Sequence, residues 1–205
     1  MSIRLLSKNH SSFEDNIKNL ITYGLEIIHE DSPKTSREEK AMLLEALLLR
    51  SCALWENFVE KEIVLAIKLN SAKFKHNLGL PANTKLTVKL IRAILYSDRY
   101  QDYHDIERSR GYLRKILSHE QNPFESVTKE RRERISFTFK IRNYLSHYSD
   151  YSRKKLLEAY EKHHNLKRFT EPGVFLLKGK GAFFEKLIHN FILVSVSMKK
   201  MFRSN

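Results

Sequence analysis

The chain has 205 residues, of which 41 % are apolar and 30 % are charged, with only six glycines and four prolines. This length can bury a core without disulfides or metals, and the composition excludes disordered and fibrous classes. The formal net charge of +13, from 37 basic and 24 acidic side chains, is typical of a protein with a polyanionic partner. Nucleic acid is the leading candidate; an anionic membrane surface, an acidic protein, or charge kept only for solubility are the alternatives.

The compartment is predicted from the cysteine count and from the apolar runs. The one cysteine, Cys52, lies in an apolar run, which predicts a buried thiol. The amino terminus lacks the apolar core of a signal peptide, and the most apolar run, FILVSVSM at 191–198, is too short to cross a membrane. We therefore expect a cytoplasmic protein.

Apolar periodicity and scarce Gly and Pro predict helices along most of the chain. Ser11 and Ser12 are candidate caps of the first helix. TSREE at 35–39 resembles a capping box at the start of the second and longest helix. This second helix is apolar on nearly every side over 41–67, which predicts that it is central and buried. The predicted helices cover about 11–29, 36–69, 84–95, 106–117, 127–148, 152–164 and 182–202. Predicted loops cover 30–36, 77–84, 118–126 and 165–181, the last with room for a short extended piece, and 97–105 fits either a turn or an exposed helix.

The order of these elements predicts the fold class. The sequence has no internal repeat and no linker long enough to divide it. We therefore expect one all-α domain over 1–205, an antiparallel helical bundle with extra helices.

The stretch RNYLSH, residues 142–147, is the most informative motif. Arg and His separated by four residues (Arg-x4-His) occur three times, ending at His104, His119 and His147, so this spacing alone indicates little. Arg followed directly by Asn, with His at the same distance, occurs once, at Arg142 and Asn143, where chance supplies roughly 0.04 such matches.

On a straight helix these side chains do not all point the same way. Asn143 and His147 are about 40° apart, as are Arg142 and Ser146, whereas Arg142 and His147 are about 140° apart. Arg142 and His147 converge more readily where two such helices meet, or where the last turn loosens.

Residues 142–147 resemble the signature of the HEPN superfamily, helical-bundle proteins of which many are metal-independent ribonucleases. That signature is Arg, four to six residues, then His, commonly with Asn directly after the Arg. The motif also lies late in a long helix, as in the family, and RSCALWENFVEKEI at 50–63 looks like the family's earlier core helix.

The resemblance implies an HEPN-like bundle that forms a homodimer, with the active site where two motifs face each other. It implies cleavage of RNA without a metal or cofactor, in a bacterial toxin or phage-defence effector. The expected partners are RNA, a second copy of the chain, and an antitoxin or defence-system protein, with no membrane.

The residue types of the motif suit RNA cleavage. An imidazole such as His147 can take or give a proton near neutral pH, and the planar fork of Arg142 can bind a phosphate and stabilise its developing charge. Asn143 either orients His147 or hydrogen-bonds the phosphate. The alternative is an ordinary helix end, in which His147 binds the last carbonyls of the helix. The protein would then be a non-catalytic helical module for nucleic acid or a protein partner, or a scaffold in a larger complex.

Other candidates would support the motif. Glu56, beside Trp55, is either a supporting acid or a helix-surface charge, and Ser146 and Tyr148 flank His147. The cations of KERRER at 129–134, Arg131, Arg132 and Arg134, either guide RNA or form a solvated face.

Two further groups carry residue types that bind metals. DRYQDYHDIE at 98–107 contains suitable carboxylates and His104, but no recognised ligand spacing, which favours a solvated acidic segment. His163 and His164 are adjacent, too close to chelate from one helix, and are expected at the surface. No metal site is predicted.

Overall fold

The structure is a computed structural model that describes residues 2–29, 35–96, 103 and 105–201. All regular secondary structure in these residues is helical, which confirms the all-α class. The α-helices are α1 Ser2–His29, α2 Arg37–Leu69, α3 Ala72–Asn77, α4 Val88–Tyr96, α5 Ile106–Ile116, α6 Lys129–His147, α7 Asp150–His164, α8 Pro172–Leu176 and α9 Ala182–Met201, with a 3-10 turn at His119–Gln121. Among the described residues, none of the helices combines the length and apolarity needed to span a bilayer.

Helix α1 begins at Ser2 and not near Ser11, so the prediction that Ser11 or Ser12 caps it is wrong. Leu6 and His10 are buried and extend the apolar face towards the amino terminus. The hydroxyl of Ser11 donates to a carbonyl one turn earlier in the helix, at 3.1 Å, as a serine inside a helix does.

Helix α2 begins with the predicted capping box. The Glu39 amide donates to the Ser36 hydroxyl at 3.1 Å, and the Ser36 amide donates to the Glu39 carboxylate at 2.6 Å. Trp55 and Cys52 are buried, which confirms the buried thiol. The helix is not buried all round, however, because Met42 is 67 % exposed.

The remaining long helices lie close to their predicted positions. Helix α8 lies within the predicted loop 165–181, where the sequence left room for a short extended piece, and α3 lies just before the predicted break at 77–84. Most of the predicted loop 30–36 and of the segment 97–105 lies outside the described residues.

The chain divides into two compact units, each made of segments distant in sequence. Unit 1 comprises Met1–Phe13, Glu56–Arg132 and Leu193–Asn205, and unit 2 comprises Glu14–Trp55 and Glu133–Ile192. The single domain over 1–205 and the antiparallel HEPN-like bundle stay predictions.

Aromatic side chains form the core of each unit. In unit 1, Phe13 stacks on Phe58 with ring centroids 4.2 Å apart. In unit 2, Phe191 contacts both Trp55, at 5.4 Å, and Phe139, at 6.5 Å. Because Phe139 belongs to α6, this core fixes the rotation of the helix that carries RNYLSH.

Candidate functional site

The RNYLSH motif forms the last turns of α6, within unit 2. Ile141, Tyr144 and Leu145 are buried against the core, whereas the polar residues of the motif lie towards solvent. Arg142 and Asn143 are half-buried, and Ser146 and His147 are exposed. The polar side chains of the motif are therefore accessible to a ligand.

Arg142 is held by its neighbour. Its Nη1 donates a hydrogen bond to Oδ1 of Asn143 at 3.1 Å. This contact differs from both roles expected for Asn143, which were to orient His147 or to bind a phosphate. No carboxylate of the described residues forms a salt bridge with Arg142, so its charge remains available to an anion.

The second Arg-x4-His pair in the sequence provides a direct comparison. Arg114 donates from Nε and Nη2 to the carboxylate of Glu125, at 2.5 and 2.8 Å. Its charge is therefore already paired, whereas that of Arg142 is not. The first pair, which ends at His104, lies outside the described residues.

His147 is the last residue of α6, and its side chain has no hydrogen bond or ion pair to any other described residue. It does not bind the last carbonyls of the helix, as the helix-end alternative required. The carbonyl of Tyr144 instead accepts the Tyr148 amide at 2.8 Å. The His147 imidazole is therefore accessible to a ligand.

A tight turn joins the motif to α7. Tyr148 adopts a left-handed backbone with φ of +44°, which is uncommon for a bulky residue. Ser149 then caps α7, and Ser152 completes the capping box. His147 thus lies where α6 ends and α7 begins.

Two carboxylates that the sequence did not single out influence Tyr144 of the motif and Tyr148 just beyond it. Oε2 of Glu171 accepts a hydrogen bond from the Tyr144 hydroxyl at 3.2 Å. Although Tyr148 is 67 % exposed, partial desolvation and the negative charges of Glu45 and Glu171 raise its pKa. The electrostatic surroundings of the motif are therefore mixed, and not uniformly basic.

Glu45 itself lies partly inside unit 2. Burial raises the pKa of the Glu45 carboxyl group, and the negative charge of Glu171 raises it further. The amide of Gly173 donates a hydrogen bond to this carboxylate at 2.7 Å, which lowers the pKa and so opposes the rise. Sequence reasoning missed Glu45, although it is the lone acid in the apolar run AMLLEALLL at 41–49. Glu56, the acid that was selected, is half-buried and belongs to unit 1.

A second accessible cation near the motif is Arg153 on α7. Its guanidinium lies 4.4 Å from the centroid of the Phe169 ring, in a cation–π contact. Burial and the negative charge of Glu171 raise the pKa of Tyr144, and the positive charge of Arg153 opposes this rise. Arg153 therefore lies close enough to Tyr144 to act on it electrostatically. No local pattern marks Arg153, because its partner Phe169 lies sixteen positions further along the chain.

The cations of KERRER are half-buried and interact with protein groups. Arg131 donates to the carbonyl of Leu193 at 3.2 Å, and Arg132 is bonded to Glu107. Arg134 also has interactions within the protein. RNA contacts from Arg131 or Arg132 would have to replace these bonds, and the guiding role stays a prediction.

His163 and His164 are not the surface residues that the sequence predicted. Both are half-buried, with ring centroids 5.3 and 5.0 Å from that of Phe137. Burial is the largest cause that lowers the pKa of each imidazole, and the neighbouring lysines Lys162 and Lys186 add to it.

Neither histidine is a metal candidate, and the described residues contain no cluster of three or more His, Cys, Asp or Glu that could hold an ion. Most of the acidic segment 98–107 lies outside them.

Comparison of the chain with models of protein families, with curated proteins and with solved structures finds no match. The resemblance to HEPN proteins therefore depends on RNYLSH, on its place late in a long helix, and on the earlier helical segment at 50–63.

Proposed function

We propose that this protein is a metal-independent endoribonuclease of the HEPN type, acting as a homodimer in the cytoplasm. The observation that carries the proposal is the unpaired charge of Arg142, restrained by Asn143, on the same helix end as the exposed His147. The role proposed is that of a toxin or phage-defence effector, with RNA as substrate and an antitoxin or defence-system protein as a further partner.

The proposed reaction uses the RNA's own 2′-hydroxyl. This hydroxyl loses its proton as its oxygen bonds to the adjacent phosphorus, and the bond from phosphorus to the 5′-oxygen breaks. The products are a cyclic 2′,3′-phosphate and a 5′-hydroxyl, which takes up a proton. Arg142 binds the non-bridging oxygens as their charge develops, and an imidazole moves the protons.

One chain is not expected to form this site alone. Arg142 and His147 are about 140° apart on a straight helix, and two proton transfers call for two groups. In a two-fold contact, a second copy would present its own Arg142 and His147 from the opposite side of the substrate. It would also supply the second imidazole.

The first experiment tests the chemistry. Purified protein should cut single-stranded RNA in excess EDTA, and Arg142→Ala or His147→Ala should each lower the rate by about 10² or more. Arg114→Ala and His119→Ala are matched controls with the same spacing and should retain activity. Full activity in the His147 variant would eliminate the assignment.

The second experiment tests the dimer. If each site pairs Arg142 of one copy with His147 of the other, a heterodimer of Arg142→Ala and His147→Ala contains one complete site. Mixing the two inactive variants should then restore part of the rate. If all four side chains act in one cleft, the mixture stays inactive while sedimentation still detects a dimer. Cleavage by a strict monomer would contradict both arrangements.

A second candidate function is a non-catalytic module that binds nucleic acid or a protein partner. The carboxylates of Glu45 and Glu171 favour the protein-binding form of this module, because negative charge near the motif opposes the binding of a polyanion. Salt-dependent RNA binding without cleavage would support the nucleic-acid form instead.

A further inference from the structure

Unit 1 contains a cavity that the ribonuclease proposal does not use. It has a volume of about 330 Å³ and lies between α1, α2 and α4. Four apolar side chains line it, Leu5, Val64, Leu65 and Val88. Leu5 and Val88 are 45 % and 39 % exposed, so this apolar surface is in contact with water. The volume is at the lower end of the range for small-molecule sites.

Cations surround this apolar surface. Lys8, Lys61 and Arg92 also line the cavity. Arg92 is paired with Glu60 at 2.6 Å, but neither lysine forms an ion pair with any other described residue. An adjoining cavity shares Leu5 and Lys8 and is also lined by Arg4, so positive charge continues along α1. The surroundings therefore favour an anion.

One wall of the cavity is held rigidly by buried polar groups. The side-chain amide of Asn9 donates to Oε1 of Glu62 at 2.6 Å and to the carbonyl of Phe58 at 3.3 Å. Glu62 is fully buried, and its other carboxylate oxygen lies 3.1 Å from Nε2 of His10. This wall is therefore preorganised, which lowers the cost of binding.

We propose that this cavity binds a small amphipathic anion, an aliphatic body with a carboxylate headgroup. The body covers the apolar side chains, and the headgroup lies between Lys8 and Lys61. No aromatic side chain lines the cavity among the described residues, and this argues against a nucleobase, which binds proteins by stacking. The proposal is independent of the RNA chemistry, since no residue of RNYLSH takes part.

Isothermal titration with decanoate, below its micelle concentration, tests the proposal. We expect saturable binding at one site per chain, with much weaker binding of decanol, which lacks the charge, and of acetate, which lacks the body. Lys8→Gln combined with Lys61→Gln should weaken decanoate binding by about tenfold or more. Val88→Trp should abolish binding by filling the cavity. Lys68→Gln is the matched control, because Lys68 is exposed on α2 but does not line the cavity, and it should bind as the unaltered protein does.

Three results would overturn the proposal. The first is the absence of saturable binding at decanoate concentrations up to about 1 mM, because even a weak specific site would begin to fill at that concentration. The second is an equal loss in the Lys68 control, or no loss in the double lysine variant. The third is binding to anionic vesicles without binding of monomeric decanoate, which would indicate a membrane surface instead. Circular dichroism checks folding, and the surface lysine variants decide the question if the tryptophan variant does not fold.

Discussion

The hydrogen bond between Arg142 and Asn143 leads to a prediction with a defined size. A hydrogen bond to a charged group contributes about 1.5–3 kcal/mol, and this one is 3.1 Å long between half-buried side chains, which favours the lower end. If the bond positions the guanidinium for the transition state, about 1.5 kcal/mol corresponds to roughly a tenfold change in rate. Asn143→Ala should therefore slow RNA cleavage by about tenfold.

A double-mutant cycle separates positioning from a direct role of Asn143. Single-turnover cleavage of a short single-stranded RNA in EDTA is measured for Asn143→Ala, for Arg142→Ala and for the double variant. If Asn143 acts only through Arg142, the double variant cleaves no more slowly than Arg142→Ala. Asn57→Ala, which removes an exposed amide in unit 1, is the control and should not change the rate. Losses that multiply in the double variant would refute the positioning role and indicate that Asn143 contacts the RNA or His147.

Two further predictions concern stability. The pKa values of His163 and His164 are lowered in the folded state, so below the unfolded value of ~6.5 the unfolded chain binds more protons and stability falls as the pH decreases. Urea unfolding at pH 7.5 and 5.5 should detect this loss, and His163→Gln with His164→Gln should reduce it; an unchanged pH dependence would contradict the cause. His10→Leu leaves Glu62 buried without its imidazole, which should cost about 3–5 kcal/mol and lower the melting temperature by about 10 °C in calorimetry. Adding Glu62→Leu should restore part of this loss, and a further decrease would show that the pair is not the cause.

Local signals account for what the sequence predicted correctly. Ser36 and Glu39 form the capping box because both partners are three residues apart and need nothing from the rest of the chain. The ends of α6 and α7 were similarly close to prediction, since apolar periodicity and turn residues mark them. RNYLSH was visible for the same reason, as six consecutive residues of one helix.

Tertiary contacts account for what was missed. Ser11 has the chemistry of a cap, but burial of Leu6 and His10 continues the helix past it. The half-burial of His163 follows from Phe137, a residue of another helix. One of the acids near the motif is Glu45, almost a hundred positions before it, and the sequence offers no local sign that the two are neighbours.

The turn at Tyr148 lies directly after His147, the residue proposed to move protons. A left-handed backbone at a tyrosine is unfavourable and persists only where the surrounding structure requires it, as where α7 starts directly after α6. The turn joins α6, which carries Arg142, to α7, which carries Arg153. We propose that a phosphate bound at this turn meets cations from both helices, while Glu45 and Glu171 oppose binding of additional negative charge. A site of this kind would favour one phosphate beside His147 over general attraction to a polyanion.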